Sequence, residues 1–255
     1  MVEVDYKEIA RQARIKVLDL IYRAQTSHIG SNFSCADIMA VLFEKIDLDK
    51  DKFVMSCGWK AATLYYHLWR KERITLEELD SYCQPGSKFI GLAEPMVARD
   101  ILVAGGSMGW GAAMSVGLAT ANKLLKKDGK IFTLISDGEL QTETMASVAR
   151  NAAKRKLDNL VFILDNNGFC AMGRTSEVLD VDPRHLFYDW GILEIGGHDY
   201  TAIEAAIESD HYQKPTLIIA DTIKGKGVPK WENNNLWHYA QIKEDDYNYA
   251  LSCLN

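Results

Sequence analysis

Four short apolar runs, residues 131–135, 160–164, 192–195 and 216–220, dominate the second half of the chain. Patterns of helical spacing separate them at 143–156 and 201–208. Strands alternating with helices over such short connections cannot pair as hairpins. The pattern predicts crossovers into a doubly wound α/β fold, a mostly parallel sheet with helices on both faces. No low-complexity linker, proline-rich hinge or internal repeat interrupts it, so residues 1–255 read as a single domain.

The first half reads as mainly helical. Ile9, Ala13, Val17, Leu20 and Ile21 carry one apolar face over 6–24, and Ser34 is expected to cap a helix running into the apolar 38–43 stretch. Thr75 with Glu78, and Thr201 with Glu204, have capping-box spacing. Residues 110–125 form a further helix, rich in small side chains that permit close packing.

Charge and composition narrow the function classes. A net charge of −6 disfavours nucleic acid or an acidic membrane as partner. No apolar run reaches the ~18–20 residues of a membrane span, and the charged N-terminus is unlike a signal peptide. Cys35, Cys57, Cys83, Cys170 and Cys253 are scattered and odd in number, which favours free thiols and a cytoplasmic setting. Cys170 reads as a buried small hydrophobe.

In open parallel sheets, ligands bind beyond the carboxyl ends of the strands. Asp137-Gly138 follows one apolar run directly, and Asp165-Asn166-Asn167-Gly168 follows the next. If those strands are neighbours, one carboxylate, one amide oxygen and a backbone carbonyl converge, a donor set suited to Mg²⁺ or Ca²⁺. Asp-Gly and Asn-Gly are equally at home in plain turns. The glycine-rich Gly105-Gly-Ser-Met-Gly-Trp-Gly111, opening into a helix, has the geometry that offers N–H groups to an anion. Its order, G-x-x-G-x-G, is not the dinucleotide fingerprint. Together the two elements suggest a diphosphate-bearing cofactor held through a divalent ion.

The stretch from Ser136 to Phe169, SDGELQTETMASVARNAAKRKLDNLVFILDNNGF, resembles the thiamine diphosphate motif of the transketolase family, with Asp137 and Asn167 at the family's separation. SHIGSNFSCADIMAVLF, GSMGWG and TIKGKGVPKWENNNLWHY resemble further family segments in the same order. The resemblance implies thiamine diphosphate as cofactor, with Asp137, Asn167 and the Phe169 carbonyl as metal ligands. It also implies that Gly106, Ser107, Met108, Gly138, Lys224 and His238 contact the cofactor, and that His28 and His238 assist proton transfer. The length matches only the diphosphate-binding domain. A separate C-terminal-type subunit with the pyrimidine-binding domain is therefore expected as partner, in a two-plus-two heterotetramer inactive without it.

Several positions depart from the family pattern. Ser56-Cys57-Gly58-Trp59 replaces Ser-Lys-Gly-His, and Gly91-Leu92-Ala93 replaces Gly-His-Pro. Ser136, Thr142 and Trp110 replace a glycine, an acid and a glutamine, and Gly196-Gly197-His198-Asp199 replaces Asp-Gly-His-Asp. Three readings follow: a transketolase-like transfer of a two-carbon unit between a small-molecule donor and acceptor, decarboxylation of a 2-keto acid with acyl transfer, or a non-catalytic scaffold. Leu92 and Trp59 favour a donor lacking the terminal hydroxyl.

Overall fold

The computed structural model describes residues 4–95, 97–209 and 213–255. Helices α1 (Tyr6–Ala24), α2 (Ile29–Ser34) and α3 (Ala36–Lys45) precede β1 (Lys52–Met55), α4 (Ala61–Arg70) and α5 (Leu76–Asp80). Next come α6 (Trp110–Leu124), β2 (Ile131–Ser136), α7 (Asp137–Leu140), α8 (Glu143–Lys154) and β3 (Leu160–Asn166). The chain ends with α9 (Thr175–Val178), α10 (Pro183–Leu186), β4 (Gly191–Gly196), α11 (Tyr200–Glu208), β5 (Thr216–Asp221) and α12 (Glu244–Leu254). The five strands lie in the order β1-β2-β3-β5-β4, and every pairing is parallel. The predicted doubly wound α/β architecture is the one observed.

Why these residues take this form follows from which side chains each face buries. Every residue of β2 is buried, and its neighbours alternate between two cores, Phe132 and Leu134 on one side, Ile131 and Ile135 on the other. Strands covered on both faces read as continuous apolar runs, which is why β2, β3 and β5 stood out in the sequence, whereas β4 at the sheet edge is only half-buried. One core packs the sheet against α1, α3, α4 and α11, the other against α6 and α8.

Several local expectations need correction. Strand β1 escaped notice because only Phe53, Val54 and Met55 mark it, too few to show a period. Ser34 caps nothing: it ends α2, and its hydroxyl donates to the Ser31 carbonyl and the Asp165 carboxylate. Asp199, not Thr201, caps α11, accepting from the Thr201 and Ala202 amides, because the helix starts two residues earlier than its Thr-x-x-Glu spacing suggested. The Thr75 capping box is present as expected, with Thr75 and Glu78 exchanging bonds. Helix α8 ends at Lys154, not residue 156. All five cysteines are free, and Cys170 is buried.

His67 on α4 is wholly buried beside Phe43, ring centroids 5.2 Å apart, and neither ring nitrogen has a hydrogen-bond partner among the described residues. Burial, then the Arg70 and Lys71 charges, hold its pKa down at about 3. The folded value lies below the unfolded one, so the neutral ring's contribution is present above about pH 6.5. It is lost at about 1.4 kcal/mol per pH unit as pH falls toward 3. His67→Leu is expected to flatten this acid limb in urea unfolding at pH 7 and pH 5. Equal losses for both proteins between the two pH values would refute the assignment.

Candidate functional site

The β2–β3 register sets Ser136 opposite Asp165, so the residues just past each strand end, Asp137 and Asn167, arrive within one residue of the same level. The conditional convergence read from the sequence is met. Asp137 is buried, and its carboxylate accepts from three backbone amides: Gly138 at 2.9 Å, Gly168 at 2.5 Å and Phe169 at 3.2 Å. The Phe169 amide also donates to the Asn167 side-chain oxygen at 3.1 Å, so the two prospective ligand oxygens share one donor. Burial, then the Asp165 charge, raises the Asp137 pKa to about 7, against the pull of Lys60. Among the described residues no Lys, Arg or His side chain pairs with Asp137. No cluster of three His, Cys, Asp or Glu that could hold a metal exists among them either. A divalent cation would give this carboxylate the charge the protein does not, so the donor set fits one carboxylate plus neutral oxygens.

A cavity of about 300 Å³ opens over these two residues. His28, Trp59, Lys60, Met108, Gly138, Phe169, Met172, His238 and Tyr239 are among its walls. Of the expected cofactor contacts, Met108, Asp137, Gly138, Asn167 and His238 line it, while Gly106 and Ser107 stand on the loop outside the lining. Lys224 reaches it through His238, donating to the imidazole Nδ1 at 2.8 Å and to the Asn235 side chain at 2.7 Å. That bond leaves the His238 proton on Nε2. His28 sits in a left-handed backbone conformation (φ 71°), with its amide donating to the His238 carbonyl and Ser27 Oγ 2.7 Å from its Nδ1. The two rings are 5.0 Å apart. Burial and the Lys224 charge hold His28 at about 4 and His238 at about 3, so both are neutral near pH 7.

The glycine-rich loop is built differently from expectation. Gly109, with φ of +83°, donates its amide to Glu139, Trp110 donates to the Ser107 carbonyl, and Ala112 donates to Ser56 Oγ. These amides of the first turn of α6 are therefore spent on the protein, and an anion would have to meet the Gly106–Met108 stretch. Gly58 and Gly105 abut so closely that a Cβ on Gly58 would lie 2.4 Å from the Gly105 carbonyl oxygen. That contact lays the loop on the turn carrying Trp59 and Lys60. Leu92 is not a cavity wall: it packs against Gly106, whose added Cβ would meet its Cδ2 at 3.2 Å.

Sequence reasoning passed over Glu139, Lys60 and Asp165. Glu139 is wholly buried and gathers Ser56 Oγ at 2.5 Å, the Gly109 amide at 2.9 Å and the Ser136 amide at 3.0 Å, joining β1, the glycine loop and β2. The Ser136-x-x-Glu139 spacing is a capping signal that could have revealed it. Thr142, whose hydroxyl donates to the Glu139 carbonyl, stands at the start of α8. His198 donates from Nδ1 to Asp37 and accepts the Ile223 amide at Nε2, pinning the loop that carries Lys224.

Residues 5–252 match the family model described as transketolase, thiamine diphosphate binding domain. The chain belongs to the transketolase family. It is 32% identical over 253 residues to one of the subunits of the apulose-4-phosphate transketolase of Phocaeicola vulgatus, covering 93% of this chain and 89% of the relative. It is 28% identical to the 6-deoxy-6-sulfo-D-fructose transketolase subunit SqwG of a Clostridium species, covering 98% and 96%. The transketolase crystal structure from Campylobacter jejuni superposes with a TM-score of 0.91 at 28% identity, over 99% of this chain but 43% of that one. The chain therefore spans about two-fifths of that transketolase, and nearly the whole of the two subunits.

Removing Glu139 strands three buried donors. Glu139→Ala is expected to cost at least about 3 kcal/mol, lowering the thermal midpoint by roughly 10 °C, read by circular dichroism. An unchanged midpoint would show that these donors do not need the carboxylate.

Proposed function

We propose that this chain is the diphosphate-binding subunit of a two-chain, thiamine diphosphate-dependent transferase that moves a two-carbon ketol unit from a donor to an acceptor. The carrying observation is the convergence of Asp137 and Asn167 on one shared amide, beneath a cavity walled by two neutral histidines. Asp137, Asn167 and the Phe169 carbonyl hold Mg²⁺ or Ca²⁺. The Gly106–Met108 backbone, Gly138, Lys224 and His238 hold the diphosphate. Bound there, the cofactor supplies the carbon nucleophile and electron sink that side chains lack.

The protein's own part is proton handling and shielding. His238 is locked by Lys224 as an Nε2 donor, suited to a hydrogen bond with a substrate or intermediate oxygen. Neutral His28, oriented by Ser27, accepts or returns a proton beside it. Trp59, Met108, Phe169 and Met172 give the cavity apolar walls.

An exposed apolar rim supports the reading that a second chain covers the site. Met108, Met172 and Tyr239 are large, apolar and exposed walls of the cavity, and Trp110 and Leu236, also exposed, lie within two residues in sequence of Met108 and His238. A subunit of the C-terminal, pyrimidine-binding type covers them, in an assembly of two copies of each chain in the cytoplasm. Among the described residues no helix is long and apolar enough to cross a membrane. The relatives' names support a subunit role and a ketose carrying a phosphate or sulfo group.

Trp59 on the cavity wall favours a second reading, a 2-keto acid donor with acyl transfer, although Leu92 no longer supports it. The chain co-expressed with the product of the neighbouring gene is expected to turn over xylulose 5-phosphate or a related ketose, and the chain alone neither donor. Pyruvate turnover without ketose turnover would replace the first reading with the second.

By calorimetry, Asp137→Ala is expected to weaken thiamine diphosphate binding in the presence of Mg²⁺ about 10–100-fold, the value of a lost charged ligand. Undiminished affinity, or no binding by the wild type, would point to a scaffold.

A further inference from the structure

Where the family pattern places a lysine, this chain has Cys57, whose thiol turns into the core and donates to the Leu134 carbonyl at 3.5 Å. Three residues later, at the end of the turn Gly58–Lys60, comes a lysine of its own. Lys60 is wholly buried, yet it lines the candidate site with Asp137 and Asn167. Its ammonium pairs with the equally buried Asp165 carboxylate. A lone buried carboxylate or ammonium costs far more than a paired one, so the two residues require each other.

Asp165 is a junction of four parts of the fold. Besides Lys60 it accepts from Ser34 Oγ at 2.5 Å, from Thr222 Oγ1, and from the Asn167 side-chain nitrogen at 3.4 Å. A carboxylate accepts and never donates, so it can face only the nitrogen end of the Asn167 amide. The oxygen end is thereby turned to the Phe169 amide that it shares with Asp137. The orientation of the prospective ligand oxygen depends on Asp165 staying in place and charged, and Lys60 is the one cation paired with Asp165 among the described residues.

We propose that Lys60 is a positioning residue of the cation–diphosphate site: by anchoring Asp165 it fixes the Asn167 amide with its oxygen beside the Asp137 carboxylate. The role rests on the cofactor reading given above. It assigns to a residue outside the ligand set the task of keeping one ligand in register.

The test is a double-mutant cycle on the chain complexed with its partner subunit, titrating thiamine diphosphate at saturating Mg²⁺ and recording the thermal midpoint beside it. Removing a group that orients a metal ligand costs about 10–100-fold in affinity, and Lys60→Met is expected to fall in that range. Because both changes act through one amide, Lys60→Met with Asn167→Ala is expected to bind within about 2-fold of Asn167→Ala alone. Should Lys60→Met fail to fold, Ser34→Ala removes a donor to Asp165 without removing a charge, and the same coupling to Asn167→Ala is expected. Wild-type affinity in the variants, or losses that add in full to that of Asn167→Ala, would overturn the proposal and leave Lys60 a stability residue. Failure of the wild-type complex to bind the cofactor would instead sink the cofactor reading itself.

Discussion

The in-register pairing of β2 with β3 is the constraint on which the site depends. Ser136 opposite Asp165 puts two strand ends within one residue of level, and the chain leaves both at the same edge of the sheet. A slip of one residue would exchange the buried faces of β3, moving Val161 and Ile163 out of one core and Leu160, Phe162 and Leu164 out of the other. The apolar cores therefore fix the register, and the register carries Asp137 and Asn167 into contact with a common amide. No separate device is needed to bring them together.

Holding that edge together is an electrostatic problem. Asp137, Glu139 and Asp165 are all buried within three residues of a strand end, and only Asp165 has a full counter-charge, from Lys60. Glu139 is satisfied by neutral donors, so burial raises its pKa. Asp137 receives only backbone amides, which cannot offset its desolvation and the Asp165 charge together. The three carboxylates thus have three distinct environments. Two are satisfied by the protein, and Asp137 has no counter-charge among the described residues.

This division shows what sequence could and could not reveal. Strands β2, β3 and β5 were legible because burial on both faces makes them continuous apolar runs, and the two motifs were legible because they sit where such strands must end. Strand β1 was not, since three apolar residues carry no period. Nor were the partners of the buried acids: Lys60 lies 105 residues from Asp165, and Ser56 lies 83 from Glu139, so their pairing exists only in the folded chain. The same holds for Leu92, whose packing against Gly106 on the glycine loop is visible only in the folded chain.

The remaining asymmetry is between the floor and the mouth of the cavity. Its floor is over-determined, each buried polar group tied to two or more elements. Its mouth is bordered by Met108, Met172 and Tyr239, which gain nothing from facing water. Neutral imidazoles and a buried carboxylate without a counter-charge interact most strongly with whatever they meet where water is excluded. The chain encloses the floor of the cavity and leaves its mouth open, so a surface that closed it would strengthen those interactions. The same apolar rim that would suffer in isolation is what such a surface can bury.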